Sequence, residues 1–226
     1  MKYIEIKNFS KEFNTMLGER KLVFEGCNFR LEEGESVGLL GLNGTGKTTL
    51  CNMITGAESI TKGKITKNGT TSWPIGIYSS IVPTLTGKQN IYFLSDLLGA
   101  DKEEVYEIVV ENCDLGEDIN SRVATYSSGM RAKLAFFLSL SFKFDFFIFD
   151  ELISVGDSVF RKKATEYFKN LKDNSSIMLC SHNINTIKDN CSKCFIINDK
   201  KISDKYDIED GIKFYDEIIE KKQREN

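Results

Sequence analysis

The chain has 226 residues, 41% of them hydrophobic and 28% charged, and 30 basic against 33 acidic side chains leave a net charge of −3. This length and balance fit one large domain, or one carrying an insertion, with ample material for a core. The charge excludes the basic surplus of a protein whose main partner is nucleic acid, and no run of roughly 20 apolar residues is present to cross a bilayer.

In chain order, residues 1–6 read as a strand and lack the apolar centre of a signal peptide. Ser36-Val37-Gly38-Leu39-Leu40 is a short apolar run that leads into a glycine-rich turn and then into the helical segment Leu50-Cys51-Asn52-Met53-Ile54. Apolar positions 91, 94, 97 and 98, then 105, 108 and 109, predict helices over residues 87–99 and 101–114, and a third helix is expected over 128–142. Phe146-Phe147-Ile148-Phe149 and Ile177-Met178-Leu179-Cys180 are two further apolar runs of strand length. Continuous runs of this kind suit a sheet covered by helices on both faces, which makes the core α/β. The tail carries Ile208, Ile212, Tyr215 and Ile219 at helical spacing, so an amphipathic helix is expected over 207–222.

The strongest chemical signal lies at residues 41–48, where Gly41-x-x-x-x-Gly46-Lys47-Thr48 matches the P-loop pattern between a strand and a helix. Gly41, Asn43, Gly44 and Gly46 build a turn whose backbone N–H groups can face an anion. The helix that follows, opened by Lys47, Thr48 and Thr49, aims its positive end at the same point. Lys47 can neutralise the β- and γ-phosphates of ATP, and the Thr48 hydroxyl can ligate Mg²⁺. Further along, the apolar strand 146–149 ends in Asp150 and Glu151. An acid at that place can hold Mg²⁺ through water, and its neighbour can polarise an attacking water.

Tyr126-Ser127-Ser128-Gly129-Met130 opens the third helix. A plain N-cap accounts for Ser127. A second use is open: Ser127, Ser128 and the Gly129 N–H could clamp the γ-phosphate of ATP held by another copy of the chain. The six cysteines lack the dense spacing of a secreted disulfide scaffold, and Cys191-Ser-Lys-Cys194 has no further ligand set beside it, so free thiols in a reducing cytoplasm are expected.

The order of these pieces resembles the ABC ATPases: P-loop, helical insertion, Ser-x-Gly signature, acidic strand, then Ser181-His182 after another strand. The resemblance runs along nearly the whole chain. It implies a P-loop NTPase core with a mainly parallel sheet, an antiparallel β subdomain near the N-terminus and an inserted helical subdomain at about 85–142. All of it would form a single ABC ATPase domain over residues 1–226. It implies ATP and Mg²⁺ as cofactors, Glu151 and His182 as catalytic residues, and Thr48 and Asp150 at the metal. It also places Phe13 against adenine, although a core phenylalanine reads the same way, and Asp157 in a loop that crosses a dimer interface. The implied partners are a second copy of the chain, in an ATP-sandwich homodimer, and an integral membrane permease, with no nucleic acid. The implied location is peripheral, at the cytoplasmic face of the inner membrane.

Ser72-Trp73-Pro74-Ile75-Gly76, Leu85-Thr86-Gly87, Thr125-Tyr126-Ser127-Ser128-Gly129-Met130-Arg131 and Ser154-Val155-Gly156-Asp157 are similar to the ATP-binding subunits of capsular polysaccharide exporters. Teichoic acid and O-antigen exporters, and soluble ABC ATPases, are the alternatives. One departure stands out. The family carries a glutamine in the loop before the helical insertion, and this chain has Val82 there, with Gln89 or water left to substitute. Val82 cannot hydrogen-bond through its side chain, so slow but real turnover is expected.

Overall fold

The computed structural model describes residues 1–15, 18–76, 80–151 and 158–225. From the N-terminus come β1 (Tyr3–Asn14), β2 (Arg20–Glu32), β3 (Ser36–Gly41), α1 (Lys47–Thr55), β4 (Lys62–Asn68) and β5 (Thr71–Ile75). The helices α2 (Gly87–Leu98), α3 (Lys102–Cys113) and α4 (Ser128–Leu140) follow, then β6 (Phe146–Asp150) and α5 (Ser158–Asn174). The chain closes with β7 (Ser176–Cys180), α6 (Ile184–Asn190), β8 (Lys193–Asn198), β9 (Lys201–Ile202), β10 (Tyr206–Asp207) and α7 (Ile208–Glu225). These elements group into two compact units, one of Met1–Pro74, Phe144–Leu152 and Lys172–Asn226, the other of Ile75–Lys143 and Ile153–Leu171.

The first unit holds the α/β core. Its main sheet runs β10-β8-β3-β7-β6-β5, with β9 beside β8. The neighbours β6-β7, β7-β3 and β3-β8 are all parallel. The apolar runs expected at 36–40, 146–149 and 177–180 are three of these strands, and nearly every residue in them is buried. The antiparallel sheet β2-β1-β4 forms from the N-terminal part. Its inward residues Ile4, Ile6, Phe9, Phe24, Phe29 and Leu31 share one apolar core with Leu39, Phe146, Ile148 and Met178 of the main sheet. α1 adds Leu50, Cys51, Met53 and Ile54 to that core.

The C-terminal helix runs to Glu225, beyond the expected end at 222. Its last turn carries Lys222 and Arg224, favourable at the negative end of a helix, and Arg224 pairs with Glu220 one turn back. Tyr215 and Gly211 are buried on one face. Gly211 is required there because a Cβ would collide with Cys194 Sγ.

The second unit is helical. α2 opens with a capping box: the Thr86 hydroxyl accepts from the Gln89 amide, and the Gln89 side chain accepts from the Thr86 amide. Its buried stripe is Gly87, Asn90, Ile91, Leu94 and Ser95. Leu97, one of the apolar positions that predict this helix, is 68% exposed. The polar Asn90 and Ser95 take inward places because each bonds a backbone carbonyl, at Val82 and Thr86 for Asn90 and at Ile91 for Ser95. α5 belongs to this unit through Leu171. Phe160 on α5 meets the rings of Phe136 and Phe137 on α4 edge-on, at 6.0 and 5.8 Å, a geometry that favours aromatic pairs.

Candidate functional site

The phosphate-loop pattern lies where β3 ends and α1 begins. Gly44 and Gly46 both adopt positive φ, 78° and 110°, which costs glycine little and other residues much. At Gly46 space is also short, since a Cβ would come within 2.7 Å of Val23 Cγ1. Asn43 and Gly44 sit exposed at the loop tip, while Gly41 is buried at the end of β3. Lys47, only 8% exposed, donates to the carbonyls of Gly41 at 2.7 Å and Leu42 at 3.2 Å. Its charge therefore spans the mouth of the loop. Thr48 is exposed and Thr49 half-buried in the first turn of α1.

Asp150 closes β6 directly beside Cys180 of β7. Burial pushes its carboxyl up, the Thr48 hydroxyl and the Lys47 charge pull against that rise, and Glu151 adds to it. The Thr48 hydroxyl acts on the Asp150 carboxyl, so two hard oxygen donors lie near each other beside the loop. Mg²⁺ takes few protein oxygens and keeps several waters, so Thr48 and Asp150 fit that ion. A bound cation would also favour the ionised form of Asp150, which burial alone disfavours.

Glu151 follows at φ 70°, a left-handed conformation that costs a non-glycine residue about 1–3 kcal/mol. Its amide donates to the Cys180 carbonyl at 3.0 Å. The carboxylate accepts from the His182 amide at 3.3 Å and the Ser181 hydroxyl at 3.4 Å. Both carboxylate oxygens also lie 3.1 Å from His182 Nδ1. A proton on Nδ1 would thus be shared with Glu151, leaving Nε2 free to act outward. Ser181 is buried and braces the pair; its Oγ also accepts from the Asn183 amide at 3.1 Å. The strained backbone therefore aims Glu151 at His182 across the ends of two adjacent parallel strands.

Phe13 is half-buried near the end of β1, with Lys11 Nζ 4.4 Å from its ring centre. Lys11 is itself anchored to Glu58 and to the Ser59 carbonyl, so one face of the ring is occupied by a fixed cation. Asp157 lies outside the described residues.

In the helical unit, Ser127 is the N-cap of α4 and accepts from the Met130 amide at 3.2 Å. Ser127 and Ser128 are exposed. A Cβ on Gly129 would meet nothing nearer than Ser127 Oγ at 3.9 Å, so packing within the chain does not demand a glycine there. In the first turn of α2, Gln89 is engaged in the capping box described above. Val82 is held instead by Asn90, which was not singled out in the sequence. Asn90 Oδ1 accepts from the Val82 amide at 2.7 Å, and Nδ2 donates to the carbonyls of Val82 at 3.1 Å and Thr86 at 2.9 Å. The fully buried amide thus fixes the loop through its backbone.

The ABC transporter family profile matches residues 24–154, more than half of the chain. The chain belongs to the ABC transporter family. The matched span of this family runs from β2 through the phosphate loop and the start of α4 to the acidic end of β6. The polysialic acid transport ATP-binding protein KpsT of Escherichia coli is 38% identical over 215 residues, covering 94% of this chain and 96% of that one. The capsule polysaccharide export ATP-binding protein CtrD of Neisseria meningitidis is 35% identical over 216 residues, covering 95% and 99%. A solved ATP-binding subunit of an ABC transporter superposes with a TM-score of 0.80 at 22% identity, over 92% of this chain and 90% of that one. Among the described residues no helix is long and apolar enough to cross a membrane.

Proposed function

We propose that this chain is the ATP-hydrolysing subunit of a capsular polysaccharide exporter, a homodimer working on a separate membrane permease from the cytoplasmic face. The observation that carries the hydrolytic part is the convergence of Lys47, Thr48, Asp150, Glu151 and His182 at the ends of β3, β6 and β7. The substrate class rests on the relatives, several of which are capsule or polysialic acid transport proteins over nearly their whole length.

In this reading the loop amides and Lys47 bind the β- and γ-phosphates, and Phe13 packs on the adenine. Thr48 and Asp150 hold Mg²⁺, which supplies neutralisation of phosphate charge. Glu151 orients and deprotonates the attacking water, and His182, braced by Glu151, points a nitrogen at the γ-phosphate. Positioning and charge stabilisation supply most of the rate in phosphoryl transfer of this kind. Ser127, Ser128 and Gly129 of a second copy complete each site, so that ATP joins the two chains and its hydrolysis releases them. Phe93, Leu97 and Leu98 of α2, all exposed, support docking of the helical unit on a membrane partner. The domain would then act as one ABC cassette over residues 1–226, with residues 85–142 coupling to the permease.

Replacing Glu151 by Gln tests this directly. The variant should bind ATP, lose about 10²–10⁴-fold in turnover as expected for a positioned general base, and run as a dimer in size-exclusion chromatography with ATP. A fully active Glu151→Gln chain would remove Glu151 from the reaction.

A further inference from the structure

Below the phosphate loop the first unit holds two side chains that ATP hydrolysis does not use. Cys51 lies on the inward face of α1, four residues after Lys47, and Cys180 ends β7. Both are fully buried, and their sulfurs are 3.2 Å apart across 129 residues of sequence. Carbon atoms in a packed core settle at roughly 3.5–4.0 Å, so the two sulfurs are closer than ordinary apolar packing places its groups. A third donor joins them. An oxygen of Asp150 and the two sulfurs all lie within 4.8 Å of one another. Asp150 is only partly buried, so this corner of the cluster opens toward the loop.

We propose that Cys51, Cys180 and Asp150 form a binding site for a thiophilic divalent cation such as Zn²⁺ or Cd²⁺. Two thiolates and one carboxylate with an open fourth position match the donor number of three-ligand zinc centres. Thiolate donors select such ions over Mg²⁺, which prefers oxygen. With Zn–S bonds of about 2.3 Å at tetrahedral angles, the sulfurs would sit about 3.8 Å apart. They need only part slightly from their present spacing. Binding makes two metal–sulfur bonds and one metal–oxygen bond and breaks two S–H bonds. Both protons pass to solvent, and no electron is transferred. Burial, Cys51 and Asp150 push the Cys180 thiol well up and Lys47 pulls against them, so the cation has to displace the protons as it binds. The cation would take Asp150 away from Mg²⁺ and so inhibit ATP turnover. This last consequence, unlike the site itself, rests on the function proposed above.

The test uses the reduced, metal-free full chain titrated with Cd²⁺. A thiolate-to-cadmium absorption band should saturate at one ion per chain. Cys51→Ala and Cys180→Ala should each abolish it, with far-ultraviolet circular dichroism confirming that each variant folds, and Asp150→Asn should weaken it. The Cys191→Ser/Cys194→Ser double variant should keep the band. Zn²⁺ should inhibit the wild-type ATPase reversibly, with a zinc-selective chelator restoring it. Cys51→Ala should stay active and lose this inhibition by Zn²⁺. A band that survives both alanine substitutions, or that disappears only with Cys191 and Cys194, overturns the site. A band that behaves as expected while turnover ignores Zn²⁺ keeps the site and counts against Asp150 as a Mg²⁺ group.

Discussion

The phosphate loop of the first unit and the N-terminus of α4 in the second are both helix starts, yet they differ in how much of their surroundings the chain supplies. At the loop every functional side chain has a defined partner: Lys47 on two carbonyls, Thr48 on Asp150, and Glu151 on His182 and Ser181. Of the three residues Ser127–Gly129 at α4, Ser127 serves as a cap, while Ser128 is exposed and Gly129 has open space where a side chain could stand. A glycine kept where nothing inside the chain needs it fits close approach by something from outside. In the function proposed above the two regions are complementary halves, one to hold a nucleotide and one to cap it.

Breaking each half should give different defects. Lys47→Ala should abolish turnover and also weaken ATP binding, measured by equilibrium binding of a fluorescent ATP analogue. Gly129→Asp should lose turnover to a similar degree yet leave ATP binding to the isolated chain intact, because its site lies on the other copy. Equal loss of nucleotide binding in both would erase the distinction.

Smaller effects sharpen the helical side of the comparison. Asn90→Ala removes three hydrogen bonds and takes the Val82 amide's acceptor away, while the Val82 carbonyl keeps the Leu85 amide; a buried donor left unpaired costs about 1–3 kcal/mol. Denaturant unfolding should therefore show a clear loss of stability. Val82→Gln should raise ATP turnover several-fold if the missing loop glutamine is the cause of slow hydrolysis. An unchanged or lower rate in a steady-state assay would mean that its loss costs this chain nothing.

Much of the α/β core was legible because its cues are local. The runs 146–149 and 177–180 in β6 and β7 are apolar without interruption, as burial on both faces requires, and α4 announces its cap residue at Ser127. The long strands β1 and β2 were harder to read. Their pairing carries register shifts around Phe9 and Lys11, which interrupt the two-residue alternation that marks a strand. α5 was missed because most of its residues are charged or polar, which hides the helical spacing of Phe160, Ala164 and Phe168. At the site, the P-loop glycines and the Asp150–Glu151 pair were visible as motifs. Asn90 was not, since its role depends on folding Val82 back eight residues along the chain. Nor was the meeting of Cys51 with Cys180, which only the sheet order creates.

Mixing the two broken chains tests the shared site most directly. Lys47→Ala keeps an intact Ser127–Gly129 edge, and Gly129→Asp keeps an intact phosphate loop. Each chain alone should be inactive, and a mixed dimer should contain one complete site. Combining the two purified proteins should restore ATP hydrolysis well above either alone, rising with total protein concentration. A mixture no more active than its components, although ATP still drives the two chains into a mixed dimer, would contradict it.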